Sequence, residues 1–142
     1  MLYEIVSERR APSYKVSCPA DVFKAFSRYA RARTERFLCA TLSGAHDIIA
    51  VRIITVGLVN RTVVHPREVF FAAIKDGAVA VIVAHNHPSG HLEPSPEDLE
   101  ITTRLRSAGE ILGISLLDHL VISKNGFLSF VQRGLLSPCP ID

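Results

Sequence analysis

The 142-residue chain is 48% hydrophobic and 21% charged, with sixteen Lys and Arg against fourteen Asp and Glu and a net charge of +2. That apolar fraction excludes intrinsic disorder, and the near balance of charge excludes a global basic field of the kind that dominates nucleic-acid affinity. No apolar run approaches the eighteen or so residues needed to span a bilayer, which excludes an integral membrane protein of the helical type. The first ten residues mix Glu4, Glu8, Arg9 and Arg10 with short apolar pairs, which is not the pattern of a signal peptide. Cys18, Cys39 and Cys139 are odd in number and widely spaced, without a CxxC pair. They speak for a reducing cytoplasm and against a disulfide framework or a thiolate zinc site.

The length suits one α/β domain, expected over residues 19–136, with an N-terminal arm or edge strand at 1–18 and a tail at 137–142. An edge strand near residues 2–6 could pair with a second copy and make a homodimer. From Pro19 to Ala30, apolar residues at 22, 23, 26, 29 and 30 have helical spacing. Arg28, Arg31, Arg33 and Arg36 follow that face; they read as a solvated surface, with phosphate binding as the alternative. Arg36–Ser43 and Asp47–Val56 read as an antiparallel hairpin, and Asn60–Val64 as extended chain. Pro66 opens a helix over Arg67–Lys75, with Val69, Phe70, Ala73 and Ile74 inward and an end near Gly77.

Ala78–Ala84 is wholly apolar, as a central strand covered on both faces would be. It runs into His85-Asn86-His87-Pro88-Ser89-Gly90, expected to be a loop because Pro88 and Gly90 break both periods. Ser95, Pro96 and Asp98 mark the next helix start, and apolar residues at 99, 101, 105, 108, 111 and 112 carry it to Gly113. Strands Ile114–Ser123 and Phe127–Val131 then flank Lys124-Asn125-Gly126, an Asn-Gly hairpin signal. The sheet is expected to be mixed and mostly antiparallel, with helices packed against it.

Three of the six histidines fall at 85, 87 and 91. Two positions apart on extended backbone, His85 and His87 face one side and can share a metal ion. Asp98, on the first turn of the next helix, is placed to return over the strand's end as a third ligand. Two imidazoles and a carboxylate leave a fourth tetrahedral position for water, as in catalytic zinc sites. Imidazole suits zinc better than magnesium or calcium, with iron the nearer competitor. Ser95-x-x-Asp98 is also a helix capping box, and the two readings are compatible. Ordinary packing has no use for two histidines, an Asn and a Ser after an apolar strand, since burying them unpaired costs a few kcal/mol.

His85-x-His87, with Ser95 and Asp98 downstream, resembles the JAMM (MPN+/JAB) zinc metalloprotease motif, which is also led by an upstream glutamate. The text HPREVFxxAI…AHNHPSG…PSPEDLExTxRLxxAGxILGIxLLDHLVIS…SFxxxGLL resembles the RadC-like JAB domain of bacteria, from about Arg33 to Leu136. His91-Leu92 stands where that family usually has Asp-Pro after HNHPSG. His91 is then either an extra ligand or a solvated loop residue. Full-length members carry an N-terminal helix-hairpin-helix region for which this length leaves no room, so the expectation is a fragment or a short standalone member.

The resemblance implies a single JAB/MPN-type domain and zinc-assisted hydrolysis of a peptide or isopeptide amide. It assigns the metal to His85, His87 and Asp98, the oxyanion contact to Ser95, and the general base to Glu35, which stands before the first strand of the hairpin as the family's acid does. Glu68 is the rival, read instead as an exposed residue favoured by its helix N-terminus. His119 is either a partner to the site or a satisfied histidine beside a strand; His46 and His65 read as turn and loop residues. The implied partner is a peptide or protein substrate. The competing functions are a DNA-repair-associated role, needing the Arg28–Arg36 surface, and a non-catalytic metal-binding interaction module.

Overall fold

The computed structural model describes residues 15–57 and 64–138. Residues 1–14 of the expected arm, with its edge strand, most of the extended stretch Asn60–Val64 and the last four tail residues lie outside these. Strands β1 (Arg36–Leu42) and β2 (Ile48–Val56) form the expected antiparallel hairpin. Its turn is held by Ser43 Oγ, which accepts from the backbone N–H of Ala45 and of Asp47. Strand β3 (Ala80–Asn86) pairs antiparallel with β1 and parallel with β4 (Ser115–Ser123), and β5 (Gly126–Ser129) closes the far side. The order β2-β1-β3-β4-β5 is mostly antiparallel and puts β3 at the centre, where all its residues are buried.

A parallel pair needs a crossover. Helix α3 (Pro96–Leu112) supplies it between β3 and β4, while α1 (Pro19–Phe26) and α2 (Pro66–Asp76) complete the set of helices. Side-chain alternation along the strands divides the core in two. Val81 and Val83 join Phe37, Cys39 and Val121 under α2 and α3, against Val69, Phe70 and Leu105. Ala80, Ile82 and Ala84 join Leu38, Leu120 and Ile122 under α1, against Val22 and Phe26. Among the described residues no helix is long and apolar enough to cross a membrane.

Four expectations need correction. His85 and Asn86 belong to β3 and not to the following loop, because the ladder continues: His85 faces Phe37 and Val121, and Asn86 faces Ile122. Helix α1 ends at Phe26 and tightens into a 3-10 turn over Ser27–Tyr29. Ile74 on α2 is 61% exposed, one step round the helix from the buried Ala73, and Leu99, Ile111 and Leu112 on α3 are exposed too. The inner face of α3 is set by Thr102, Leu105 and Gly109. In the β4–β5 hairpin the turn residues are Lys124 and Asn125, and Gly126, paired with Ser123, carries the positive φ of 122°.

Gly109 lets the end of α3 press against the chain that leads into β4. A Cβ there would sit 2.3 Å from the Ile114 carbonyl oxygen and 3.2 Å from Phe70 Cζ. Alanine would gain about 1 kcal/mol of helix propensity, but the clash forces a backbone shift costing about 1–3 kcal/mol or more. Gly109→Ala is therefore expected to lower the unfolding free energy in urea by up to about 2 kcal/mol; a raised midpoint would contradict this packing.

Candidate metal centre

The carboxyl end of β3 delivers His85 to the α3 side of the sheet, and the next residue of that parity, His87, follows it. His87 prolongs the pairing with β4 by donating its backbone N–H to the Ile122 carbonyl at 2.9 Å. His85 Nε2 lies 2.9 Å from His87 Nε2 and 3.1 Å from Asp98 Oδ2. The third side of the triangle, His87 Nε2 to Asp98 Oδ2, is 3.6 Å. Among the described residues these three form the group able to hold a metal ion. Asp98 is aimed by the capping box of α3: its Oδ2 accepts the Ser95 N–H at 2.8 Å, and its own N–H donates to Ser95 Oγ at 3.1 Å. One carboxylate therefore caps the helix and faces the histidines.

The donor set fits a small cation. His87 Nδ1 lies 3.0 Å from the His91 carbonyl oxygen, which can only accept, so Nδ1 carries a proton and Nε2 is the nitrogen left to take a cation. Ligand atoms about 2.0–2.1 Å from a tetrahedral zinc lie about 3.3 Å from one another. The three sides, at 2.9, 3.1 and 3.6 Å, bracket that spacing. Burial alone would raise the Asp98 carboxyl, but the hydrogen bonds from His85 and His87 outweigh it and hold Asp98 well below the usual carboxylate range. The Asp98 carboxylate in turn raises His87, against the opposing effect of burial.

The loop after His87 is built to hold that geometry. Gly90 has φ 92°, and a Cβ on it would lie 2.9 Å from Asn125 Nδ2. Its carbonyl accepts from Ser123 Oγ at 3.1 Å and Asn125 Nδ2 at 3.0 Å, pinning the loop to the β4–β5 turn. His91 contributes its backbone carbonyl; its side chain is exposed and outside the triangle.

Glu35 lies in the segment before β1. The β1–β3 pairing ends at Phe37 with His85, two residues past Glu35, and the Glu35 charge also raises His87. Glu68 is not exposed as expected. It is 6% exposed on the inner side of α2, its Oε1 accepts the His65 N–H at 3.1 Å, and its Oε2 has no partner among the described residues. Capping its own helix is what draws it inward. His65 is the N-cap of α2, and His46 sits in the β1–β2 turn at φ 64°. Arg28, Arg31 and Arg33 are exposed and Arg36 is half-buried.

Three residues beside the triangle escaped the sequence reading or were left open by it. Asn86, fully buried, points to the opposite face from His85. Its Oδ1 accepts the Arg36 N–H at 2.7 Å, and its Nδ2 donates to the carbonyls of Ala32 at 3.2 Å and Thr34 at 3.1 Å. It thereby fastens the segment that carries Glu35. His119, fully buried, puts Nε2 2.8 Å from His85 Nδ1, and Thr102 Oγ1 lies 2.6 Å from His119 Nδ1. Burial first, and the neighbouring His85, push His119 well below the usual histidine range. A polar residue at an inward helical position, such as Thr102, was the available signal.

A family model described as the RadC-like JAB domain matches residues 16–135. A UPF0758 protein of Methanospirillum hungatei is 55% identical over 102 residues, covering 72% of this chain and 45% of that protein. A UPF0758 protein of Geotalea uraniireducens is 46% identical over 123 residues, covering 86% of this chain and 54% of its own length. One from Alkaliphilus metalliredigens is 41% identical over 128 residues, with 89% and 55% covered. The chain spans about half the length of these curated relatives.

Asn86→Asp keeps the acceptor for Arg36 N–H but removes both donors and buries a charge beside two carbonyls. Leaving such groups unmatched costs about 1–3 kcal/mol each. The variant should lose about 2–4 kcal/mol in chemical denaturation, and a loss below about 0.5 kcal/mol would contradict the anchoring role.

Proposed function

The chain belongs to the RadC-like JAB domain family, within the JAMM/MPN superfamily, and on that premise we propose that it is a zinc-dependent hydrolase of peptide or isopeptide amide bonds. The observation that carries this reading is the triangle of His85 Nε2, His87 Nε2 and Asp98 Oδ2, whose sides are all 3.6 Å or less. These residues would hold zinc through those three atoms. When bound, zinc supplies Lewis acidity, polarising a carbonyl oxygen and acidifying a water.

The remaining chemistry falls to the chain's own groups. Glu35 accepts a proton at its carboxylate and returns it to the leaving amine, as a general base and then a general acid. Its charge acting on His87, and its place on the segment fastened by Asn86, support that role. Ser95 Oγ accepts from the Asp98 N–H and so keeps its own proton to donate to a developing oxyanion. Such a contact contributes roughly 3 kcal/mol when well aimed. Glu68 is left to cap α2. The near-neutral net charge of +2 favours a peptide or protein substrate over a nucleic acid. The free thiols of Cys18 and Cys39 suit a reducing cytoplasm.

Purified protein is expected to carry about one zinc per chain by metal analysis, lost in His85→Ala and in Asp98→Ala; retention of zinc by both variants would overturn the ligand assignment. Glu35→Gln should keep the metal and abolish cleavage of a fluorogenic peptide or isopeptide library, whereas Glu68→Gln should cleave as the parent does. The reverse pattern would transfer the general base to Glu68.

A further inference from the structure

We propose that His119, backed by Thr102, is a positioning residue that commits His85 Nδ1 as a hydrogen-bond donor, and so reserves His85 Nε2 as the ligand atom. The proposal rests on the reading of His85 as a metal ligand and deepens it. A chain of three hydrogen bonds runs from His85 Nδ1 to His119 Nε2 at 2.8 Å, from His119 Nδ1 to Thr102 Oγ1 at 2.6 Å, and from Thr102 Oγ1 to the Asp98 carbonyl oxygen at 2.6 Å. Its direction follows from its last member. A carbonyl oxygen only accepts, so the single Thr102 hydroxyl proton lies between Oγ1 and Asp98. Thr102 must then accept from His119, which places the His119 proton on Nδ1. His119 Nε2 is left as an acceptor and His85 Nδ1 must donate to it, so Nε2 is the His85 nitrogen left for a metal.

Packing holds both rings in place. His119 is fully buried, stacked on Phe130 at 4.4 Å between centroids, with its edge against Phe37 at 5.7 Å. Its backbone N–H is held by Asp118 Oδ1 at 2.8 Å. His85 lies parallel to the Phe37 ring at 6.3 Å. The chain begins on one ligand of the triangle and ends on the backbone of another, Asp98. It therefore ties the strand and helix that carry them through β4. Partners of this kind fix ring orientation and tautomer in metal sites, and their loss typically weakens metal affinity about 10–100-fold.

The test joins tautomer assignment to zinc affinity. Long-range proton–nitrogen NMR of the zinc-free protein should show His119 neutral with its proton on Nδ1, the less common neutral form. Zinc titration against a competing chelator should give a 10–100-fold weaker affinity in His119→Leu. His119→Gln, whose side-chain carbonyl can accept from His85, should recover to within about threefold of the parent. Thr102→Val, the milder change should the leucine variant not fold, should release the His119 tautomer and weaken zinc several-fold. A His119 proton found on Nε2 in the parent, or parental affinity in both His119→Leu and Thr102→Val, would overturn the proposal. A parent chain that binds no zinc would instead remove the metal reading, while the tautomer result would still decide the hydrogen-bond chain.

Discussion

Strand β3 is covered on both faces, and such a strand sends consecutive side chains into two different interiors. At its carboxyl end the last two residues are polar and almost wholly buried, His85 at 1% exposure and Asn86 at 0%. Each must find partners inside, because an unmatched buried polar group costs about 1–3 kcal/mol. His85 finds them on the α3 side, in the triangle with His87 and Asp98 and in the bond to His119. Asn86 finds them on the other side, in the backbone of residues 32–36. One pair of adjacent residues thus sets the position of the metal triangle and of the segment bearing Glu35.

The triangle itself is a concentration of acceptors. A backbone carbonyl takes the Nδ1 proton of His87, and a chain of hydrogen bonds takes that of His85. Two imidazole Nε2 atoms and a carboxylate oxygen then converge in a space suited to one small cation. The α3-side apolar cluster reaches the site, since its Phe37 lies parallel to His85 and its Phe130 stacks on His119. The helix start that aims Asp98 satisfies its own backbone groups with the same carboxylate. Capping the helix and facing the histidines are two uses of one geometry.

Local signals made much of this legible in the amino-acid order. Pro96 after Ser95, with Asp98 at the third position, marked the start of α3 at its true residue. The apolar run before His85 marked the central strand, and its alternation brought His85 and His87 to one side. What stayed hidden depends on contacts between distant segments. The bond between His85 and His119 spans 34 positions, and that between Asn86 and Arg36 spans 50. Neither can be read before the order of β1, β3 and β4 is known. Apolar content also misled on the inner face of α3, where Thr102 and Gly109 face the sheet while Ile111 is 86% exposed. A helix pressed closely against a strand has room for a small residue where periodicity alone expects a large one.

The claim at the centre of this account is that two imidazoles and one carboxylate form an open zinc site. Zinc-edge X-ray absorption of the purified, zinc-loaded protein tests it most directly. The account predicts a four-coordinate shell of nitrogen and oxygen at about 2.0–2.1 Å, with the outer-shell signature of two imidazoles and one position left to solvent. A shell containing sulfur, or one closed by three or more imidazoles, would contradict it.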